Sequence, residues 1–149
     1  MALFTEKKIE NAQLGQINLK ELQKGQSVMF YVGGFADRTS QEYGDFRVVE
    51  GLTLDEKAAS VKALVDSAEG ASFIPNTMLL NMIDEQKLRE GLVYRIEKAW
   101  DRDEKFAGGK KAKGFGFNVF ELGCDKDTLA KLRTSFMNAK SGGNAPKEL

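Results

Sequence analysis

The sequence contains no histidine at all. Active sites of the Ser-His-Asp and Cys-His types both need an imidazole, so these two classes of enzyme are excluded. The commonest general acid or base near neutral pH is also missing, as are histidine-containing zinc sites. The sequence therefore predicts a protein that is not an enzyme and that needs no cofactor and no metal. An enzyme that works through carboxylates and lysine stays open, although no motif favours it.

Cysteine occurs once, at Cys124, so no disulfide can form within the chain, and a reducing compartment is predicted. No apolar stretch approaches the roughly 20 residues that a membrane span requires. The N-terminal residues MALFTEKK also lack the apolar core of a signal peptide. These features predict a soluble protein of the cytoplasm, which is the host cytoplasm if a phage encodes it.

Net charge is missing too, because 22 basic side chains balance 22 acidic ones. A protein that coats nucleic acid through overall positive charge has an excess of basic residues, so any binding of a polyanion must use charge gathered locally. Such a region exists at Lys105–Phe120 (KFAGGKKAKGFGFNVF), which contains four lysines and no acid. By contrast, Asp37–Glu56 contains six acids and two arginines. Charge is therefore polarised along the chain.

Apolar periodicity predicts the order of the secondary-structure elements. Alternation predicts strands at Gln26–Phe35, Tyr43–Glu50, Ala71–Ile74, Leu92–Trp100 and Gly114–Leu122, with a polar loop at Ala36–Gln41. Helical spacing predicts a helix from Pro75 to Glu90 and an amphipathic C-terminal helix from the cap Asp125 to about Ala139, with Leu129, Leu132, Phe136 and Met137 on one face. Residues 55–69 fit a helix and a strand equally well.

A chain of 149 residues has room for one domain and an appended element. The order of elements predicts a mainly β (β+α) fold, a small five-stranded barrel with one helix between its third and fourth strands. The predicted parts are an arm or lead-in strand (1–25), the barrel (26–123), the C-terminal helix (124–140) and a disordered tail (141–149).

The loop between the last two predicted strands has the composition of a surface for single-stranded nucleic acid. Lysines neutralise phosphates, glycines let the backbone approach closely, and exposed aromatic rings stack on bases, which contributes about 1–3 kcal/mol per base. The predicted nucleic-acid-binding residues are Lys105, Lys110, Lys111, Lys113, Arg102, Arg95, Phe106, Phe115, Trp100 and Tyr94. A competing interpretation of the same alternation places Phe115, Phe117 and Val119 in the core.

Two motifs match in part and are not predicted to function. Gly109–Gly114 has the glycine spacing of a P-loop, but Phe115 stands where that motif requires lysine. Lys113–Phe120 matches the ribonucleoprotein octamer of RRM domains at every specified position except Asn118. The second RRM motif is echoed at Phe30–Phe35, too far away in sequence for that fold.

Three segments together resemble the small phage-type single-stranded DNA-binding proteins of the OB fold: QSVMFYVGGF with EYGDFRVVEG, SFIPNTMLLNMI, and GLVYRIEKAW with GKKAKGFGFNVFEL. The resemblance covers residues 17–123 and implies an OB barrel. It implies binding of single-stranded DNA without strong sequence preference, in replication or recombination, with RNA left open as a ligand. The groove would lie on strands two and three and their flanking loops. The chain departs from the family in its non-acidic C-terminus and in the acidic loop at Ala36–Asp45.

The alternative is a protein-interaction module, such as an accessory or inhibitor protein of a phage or plasmid. Such a module would use the OB-like barrel and the helix Asp125–Ala139 to bind a partner or to form a homodimer. The competing interpretation of that helix is that it packs on its own barrel.

Overall fold

The computed structural model describes residues 14–42, 44–101, 105, 109–112 and 114–141. The elements are β1 (Gly15–Gln16), a 3₁₀ turn (Leu19–Glu21), β2 (Ser27–Ser40), β3 (Gly44–Leu54), α1 (Val61–Ser67), β4 (Glu69–Phe73), α2 (Thr77–Asp84), β5 (Val93–Trp100), β6 (Gly116–Leu122) and α3 (Lys126–Lys140). Strands dominate, so the mainly β (β+α) class is confirmed. No helix in the described ranges combines the length and apolarity that a membrane crossing demands.

The strands form one mixed six-stranded sheet in the order β1-β4-β3-β2-β5-β6. Only β1 and β4 run parallel, and the other neighbours are antiparallel. The sheet does not close, and the prediction of a five-stranded barrel is therefore wrong. The physical reason is the N-terminal arm: Gly15 pairs with Ala71, and the Ile17 amide donates to the Ser72 carbonyl at 2.8 Å. The arm thus occupies the edge of β4 that a closing strand would need.

The hairpin of β2 and β3 is longer than its sequence indicates. The predicted loop at Ala36–Gln41 is wrong, because pairing continues to Ser40 opposite Gly44. Polar contacts across the hairpin support the extension, with the Thr39 hydroxyl donating to Asp45 at 2.7 Å and Arg47 lying 3.6 Å from Asp37. These residues are polar because this part of the hairpin extends past the apolar core.

One face of the sheet curves around the main core. Phe30 and Val32 of β2 lie on this face, as their alternation predicts, and Phe117 of β6 joins them. The predicted core placement of Phe117 is confirmed, while Phe115 and Val119 are partly buried against the same cluster. The other buried members are Leu19, Val49, Ala71, Phe73, Leu79, Ile83, Leu88, Tyr94 and Ile96. Because β4 and β6 both contribute, the sheet surrounds this core although its edges do not pair.

The opposite face of the sheet is covered by α3. Asp125 caps the helix as predicted, accepting the Thr128 amide at 2.7 Å, and Leu132 and Phe136 are buried against the strands. Phe136 lies over Gly33, where any Cβ would overlap its ring. The predicted inward position of Met137 is wrong, since its side chain is 55% exposed.

The last turn of α3 is fastened to the sheet by a buried carboxylate. Glu50 accepts from Lys140 at 2.8 Å and from Arg38 at 3.1 Å, and its side chain is only 5% exposed. A buried charge needs such compensation. This contact and the buried apolar face of α3 show that the helix packs on its own sheet.

The two remaining helices resolve the ambiguous stretch. Residues 61–67 form α1, which Ser60 caps by accepting the Ala63 amide at 3.1 Å, and β4 starts two residues later. The helix predicted from Pro75 to Glu90 is shorter than expected and ends at Asp84. Gln86 adopts a left-handed conformation (φ 59°), which the helix cannot continue through.

Candidate nucleic-acid interface

The antiparallel pair β5–β6 positions the basic loop. Its register runs from Val93 opposite Leu122 to Trp100 opposite Gly116, with an irregularity between Lys98 and Trp100. Farther out, Lys105 and Lys111 face each other in an isolated antiparallel bridge. The two sides of the connection therefore meet again at this bridge.

Three of the predicted phosphate-binding residues lie at the tip of this hairpin. Lys105, Lys110 and Lys111, here called the tip lysines, are exposed. None of them forms an ion pair with another residue that the structure describes. The predictions for Arg102, Phe106 and Lys113 lie outside the described residues. The tip therefore presents at least three exposed cations, and no acid among the described residues pairs with them.

Lys98 lies opposite Phe117, where the paired strands meet the loop, a place here called the base. Its side chain is completely buried. Its ammonium donates to the carbonyls of Lys20 (3.0 Å) and Leu22 (3.2 Å), pairs with Asp101 at 3.0 Å, and lies 4.1 Å from the ring centre of Phe115. Sequence reasoning missed this residue. The available signal was alternation, because Lys98 lies on the same strand face as the apolar residues Tyr94 and Ile96.

The aromatic residues predicted to stack on bases are mostly engaged elsewhere. Tyr94 is 1% exposed and its hydroxyl accepts the Arg89 amide at 2.8 Å, so its ring has no free face. Trp100 is partly buried against Gly116, where a Cβ would overlap the indole. Phe115 is also partly buried, with one ring face taken by Lys98, yet it lines a cleft of about 460 Å³ between the N-terminal arm and β6. Of the described candidates, Phe115 is the best placed for a ligand.

Arg95 lies on the other face of β5, away from Lys98. Its guanidinium carbon is 4.7 Å from the ring centre of Phe120, which is 40% exposed. The buried Nε of Arg95 has no hydrogen-bond partner among the described residues. This cation–π pair is separate from the tip lysines, so the structure does not bring Arg95 together with the loop.

A cleft of about 460 Å³ opens where the sheet fails to close. We call it the seam cleft; it is bordered by the arm, the start of α2 and the start of β6, and its lining is Gln16, Ile17, Asn18, Leu19, Lys20, Ile74, Pro75, Asn76, Thr77, Leu80, Phe115 and Phe117. Asn76 spans its inner end. The Asn76 Oδ1 accepts the Leu79 amide at 3.0 Å, and its Nδ2 donates to the Phe115 carbonyl at 2.9 Å. The Asn76 side chain thus connects the start of α2 to the residue before β6.

A second cleft, of about 540 Å³, lies beside the β2–β3 hairpin. This hairpin cleft shares Ile74, Pro75 and Leu80 with the seam cleft, and its other lining residues are Asp37, Asp45, Phe46, Arg47 and Asp84. Arg47 lies 3.6 Å from Asp37 and 3.4 Å from Asp84. The two clefts differ in charge: three carboxylates line the second, whereas the described lining of the seam cleft contains Lys20 and no acid.

Groups with shifted pKa values lie around α3 and α1, away from both clefts. Burial raises the pKa of the Tyr31 phenol and of the Cys124 thiol. Hydrogen bonds from Thr128 lower the pKa of Asp125, and the bond to Asp66 raises that of Lys62. Across the described part of the chain, no cluster of three Cys, Asp or Glu side chains has a metal-binding arrangement.

In comparisons with known proteins, the chain matches no protein-family model, no curated protein and no solved structure.

Proposed function

We propose that the protein binds single-stranded DNA without strong sequence preference, through the tip lysines and the adjoining seam cleft. The observation that carries the proposal is a group of three exposed lysines that pair with no described acid, in a chain of zero net charge. Lys111 precedes Phe115 by four residues in the chain, and Phe115 lies in the wall of a cleft whose described lining has no acid. Binding of this kind is electrostatic, tolerant of sequence and salt-sensitive. RNA offers the same phosphates and is the competing ligand.

The topology supports an OB-related binding domain. Without the edge strand β1, the sheet order is β4-β3-β2-β5-β6. In chain order, α2 lies between the third and fourth of these five strands, β4 and β5. This is the strand order of an OB fold, which is itself a partly open barrel whose loops bind oligonucleotides. The loop that carries the tip lysines corresponds to the one between the last two OB strands. The resemblance to phage-type proteins adds a role in replication or recombination in the cytoplasm.

Charge also favours one side of the molecule for the strand. Asp37, Asp45 and Asp84 line the hairpin cleft and repel phosphates there. The OB groove across the middle strands is restricted as well, because the end of α3 covers Glu50 of β3. We therefore place the strand along the seam, between the tip lysines and Lys20.

The test is a titration with oligo-dT, following the fluorescence of Trp100, the chain's only tryptophan. The variant K105A/K110A/K111A is compared with K57A/K126A/K131A, which removes three exposed lysines elsewhere. Each phosphate contact contributes about 0.7 to the slope of log K against log salt for single strands. The tip variant loses two or three phosphate contacts, so it should reduce that slope by about 1.4–2 and the affinity about 25- to 100-fold near 0.1 M salt.

The matched control should bind like the wild type. Equal losses in the two variants would assign binding to overall charge and contradict a site at the tip. Failure of the wild-type protein to bind oligo-dT at low salt would overturn the proposed function.

A protein-interaction module is the second candidate, and the hairpin cleft favours it. An apolar wall with three carboxylates suits a basic, apolar segment of a partner. Met137 is the large hydrophobic residue that α3 leaves exposed in the described structure, since Leu132 and Phe136 are buried, and homodimerisation through α3 would bury it. Light scattering on the wild type and on Met137→Glu tests this: a dimer lost in the variant supports assembly through α3, and a monomer in both contradicts it.

A further inference from the structure

The seam cleft has a shape and lining that suit a planar, uncharged group attached to an anionic backbone. Its volume of about 460 Å³ lies within the range of small-molecule sites, roughly 300–1,000 Å³. Ile17, Ile74, Leu80 and Phe115 supply apolar and aromatic walls. A nucleobase has two apolar faces and a hydrogen-bonding edge, which match such walls and a polar rim.

The rim of the cleft carries neutral donors and acceptors. Both polar atoms of the Asn76 side chain already form hydrogen bonds, because Oδ1 accepts from the Leu79 amide and Nδ2 donates to the Phe115 carbonyl. Asn18 uses its Oδ1 to accept the Lys20 amide at 3.1 Å, and its amide nitrogen has no hydrogen bond to another described residue. Gln16 and Thr77 are exposed on the same rim. Amide and hydroxyl groups can hydrogen-bond to the edge of any base, so the rim favours bases without selecting one strongly.

Charge around the cleft identifies the occupant as part of a polyanion. Lys20 lies on the rim, and the chain leaves the cleft at Phe115 toward Lys111 and Lys110. A base inserted in the cleft therefore has one cation, Lys20, on the rim, and Lys111 and Lys110 come four and five residues before Phe115 in the chain. The hairpin cleft shares one wall but presents three carboxylates, and it would repel the same ligand.

We propose that the seam cleft holds one base of the bound strand, against Phe115 and Ile74, while the tip lysines hold phosphates. This inference rests on the proposed function and assigns base contacts to the seam cleft and phosphate contacts to the tip lysines. The cleft lies on the open side of the sheet, between the arm and β6, and not across the central strands.

The experiment compares a labelled dT oligonucleotide with an abasic oligonucleotide of equal length, by fluorescence anisotropy. The abasic strand keeps every phosphate and lacks the bases. One stacked base contributes about 1–3 kcal/mol, so the wild type should prefer dT roughly 5- to 150-fold. Phe115→Leu keeps an apolar side chain and removes the aromatic ring, and it should abolish most of that preference. Its affinity for the abasic strand should stay unchanged.

Phe120→Leu is the matched control, because Phe120 is an exposed phenylalanine on the other face of β6. It should keep the full preference for dT. Since Phe115 also contacts Lys98, a second variant, Ile74→Ser, changes the cleft wall at a side chain that is 49% exposed. It should reduce the preference in the same direction.

The outcomes separate the two proposals. Equal wild-type affinity for dT and abasic strands, with normal salt dependence, would overturn the cleft inference and leave the tip lysines as the site. A preference for dT that survives both Phe115→Leu and Ile74→Ser would also overturn it. Failure to bind either strand would overturn the proposed function itself.

Discussion

The base and the tip of the β5–β6 hairpin contain lysines in opposite environments. Lys98 at the base has no exposed surface, and two carbonyls, a carboxylate and an aromatic ring surround its ammonium. Lys105, Lys110 and Lys111 at the tip are exposed and have no ion-pair partner among the described residues. Lysine therefore stabilises the fold at the base, where the strands meet the loop, and remains available to a ligand at the tip.

The difference shows which lysines can contribute to binding. A buried ammonium has given up its hydration and needs every partner it has, so Lys98 cannot turn toward a phosphate without leaving two carbonyls unpaired. An exposed ammonium keeps its hydration on folding. It can neutralise a phosphate of the nucleic acid, and the counterion of that phosphate is then released. Stability should therefore depend on the base, and binding should depend on the tip.

The largest expected effect is on stability at the base. Lys98→Met keeps the aliphatic length and removes the charged donor from the carbonyls of Lys20 and Leu22. A hydrogen bond to a charged group contributes about 1.5–3 kcal/mol, so unfolding should become easier by about 3 kcal/mol. For a chain of this size that corresponds to a fall in Tm of about 6–12 °C, measured by circular dichroism.

Lys105→Met is the matched change at the tip, and it should alter stability by less than about 0.5 kcal/mol. Buried ion pairs are sometimes replaced by apolar residues at no cost. An unchanged or higher Tm in Lys98→Met would show that desolvation of the ammonium already offsets its hydrogen bonds. In that case Lys98 would not stabilise the fold, and the expected difference in stability between the base and the tip would be wrong.

Two glycines that lie two residues apart where the loop enters β6, Gly114 and Gly116, should differ in the same way. Gly116→Ala places a Cβ where the Trp100 ring lies, whereas a Cβ at Gly114 meets nothing within 4 Å. Overpacking of this kind costs typically 1–3 kcal/mol, so Gly116→Ala should lose about 2 kcal/mol and change the emission of Trp100. Gly114→Ala should change neither. Equal stability of the two variants would mean that the indole moves freely and does not pack at the base.

Several features of this hairpin could be predicted from sequence, because they depend on local alternation. The pattern LVYRIEKAW places Tyr94 and Ile96 on one strand face, and the structure confirms the strand. The same alternation assigns Lys98 to that face. Its partners are carbonyls 78 and 76 residues earlier in the chain, and no local pattern contains that information.

The open sheet could not be predicted for a similar reason. The strand β1 is two residues long and has no alternation to detect, yet it takes the edge of β4 and prevents closure. The loop predicted at Ala36–Gln41 shows the opposite difficulty, because polar residues such as Asp37 and Thr39 can pair in a strand that projects beyond the core. Apolar periodicity detects strands that bury a face, and it misses both of these cases.

A smaller effect is expected where Asn76 joins α2 to the base of the hairpin. Asn76→Asp keeps the helix cap, since Asp and Asn cap about equally, and removes the donor to the Phe115 carbonyl. The loss of one hydrogen bond and a carboxylate facing a carbonyl should cost about 1.5 kcal/mol in a urea titration. Asn81→Asp adds the same charge at an exposed position of α2 and should be nearly neutral. Equal destabilisation by the two variants would point to charge alone and not to the seam contact.

The smallest effects are expected for single substitutions at the tip, and their combination tests how the cations share the strand. Each of Lys105→Ala, Lys110→Ala and Lys111→Ala should reduce the salt slope by about 0.7 and the oligo-dT affinity about fivefold near 0.1 M salt. The bridge between Lys105 and Lys111 places these two side by side, so they should reach the same phosphate. K105A/K111A should then lose less than the sum of its parts, while K105A/K110A should be additive. Additivity in both pairs would place the three cations on separate phosphates, and no loss in any variant would show that the tip does not hold the strand.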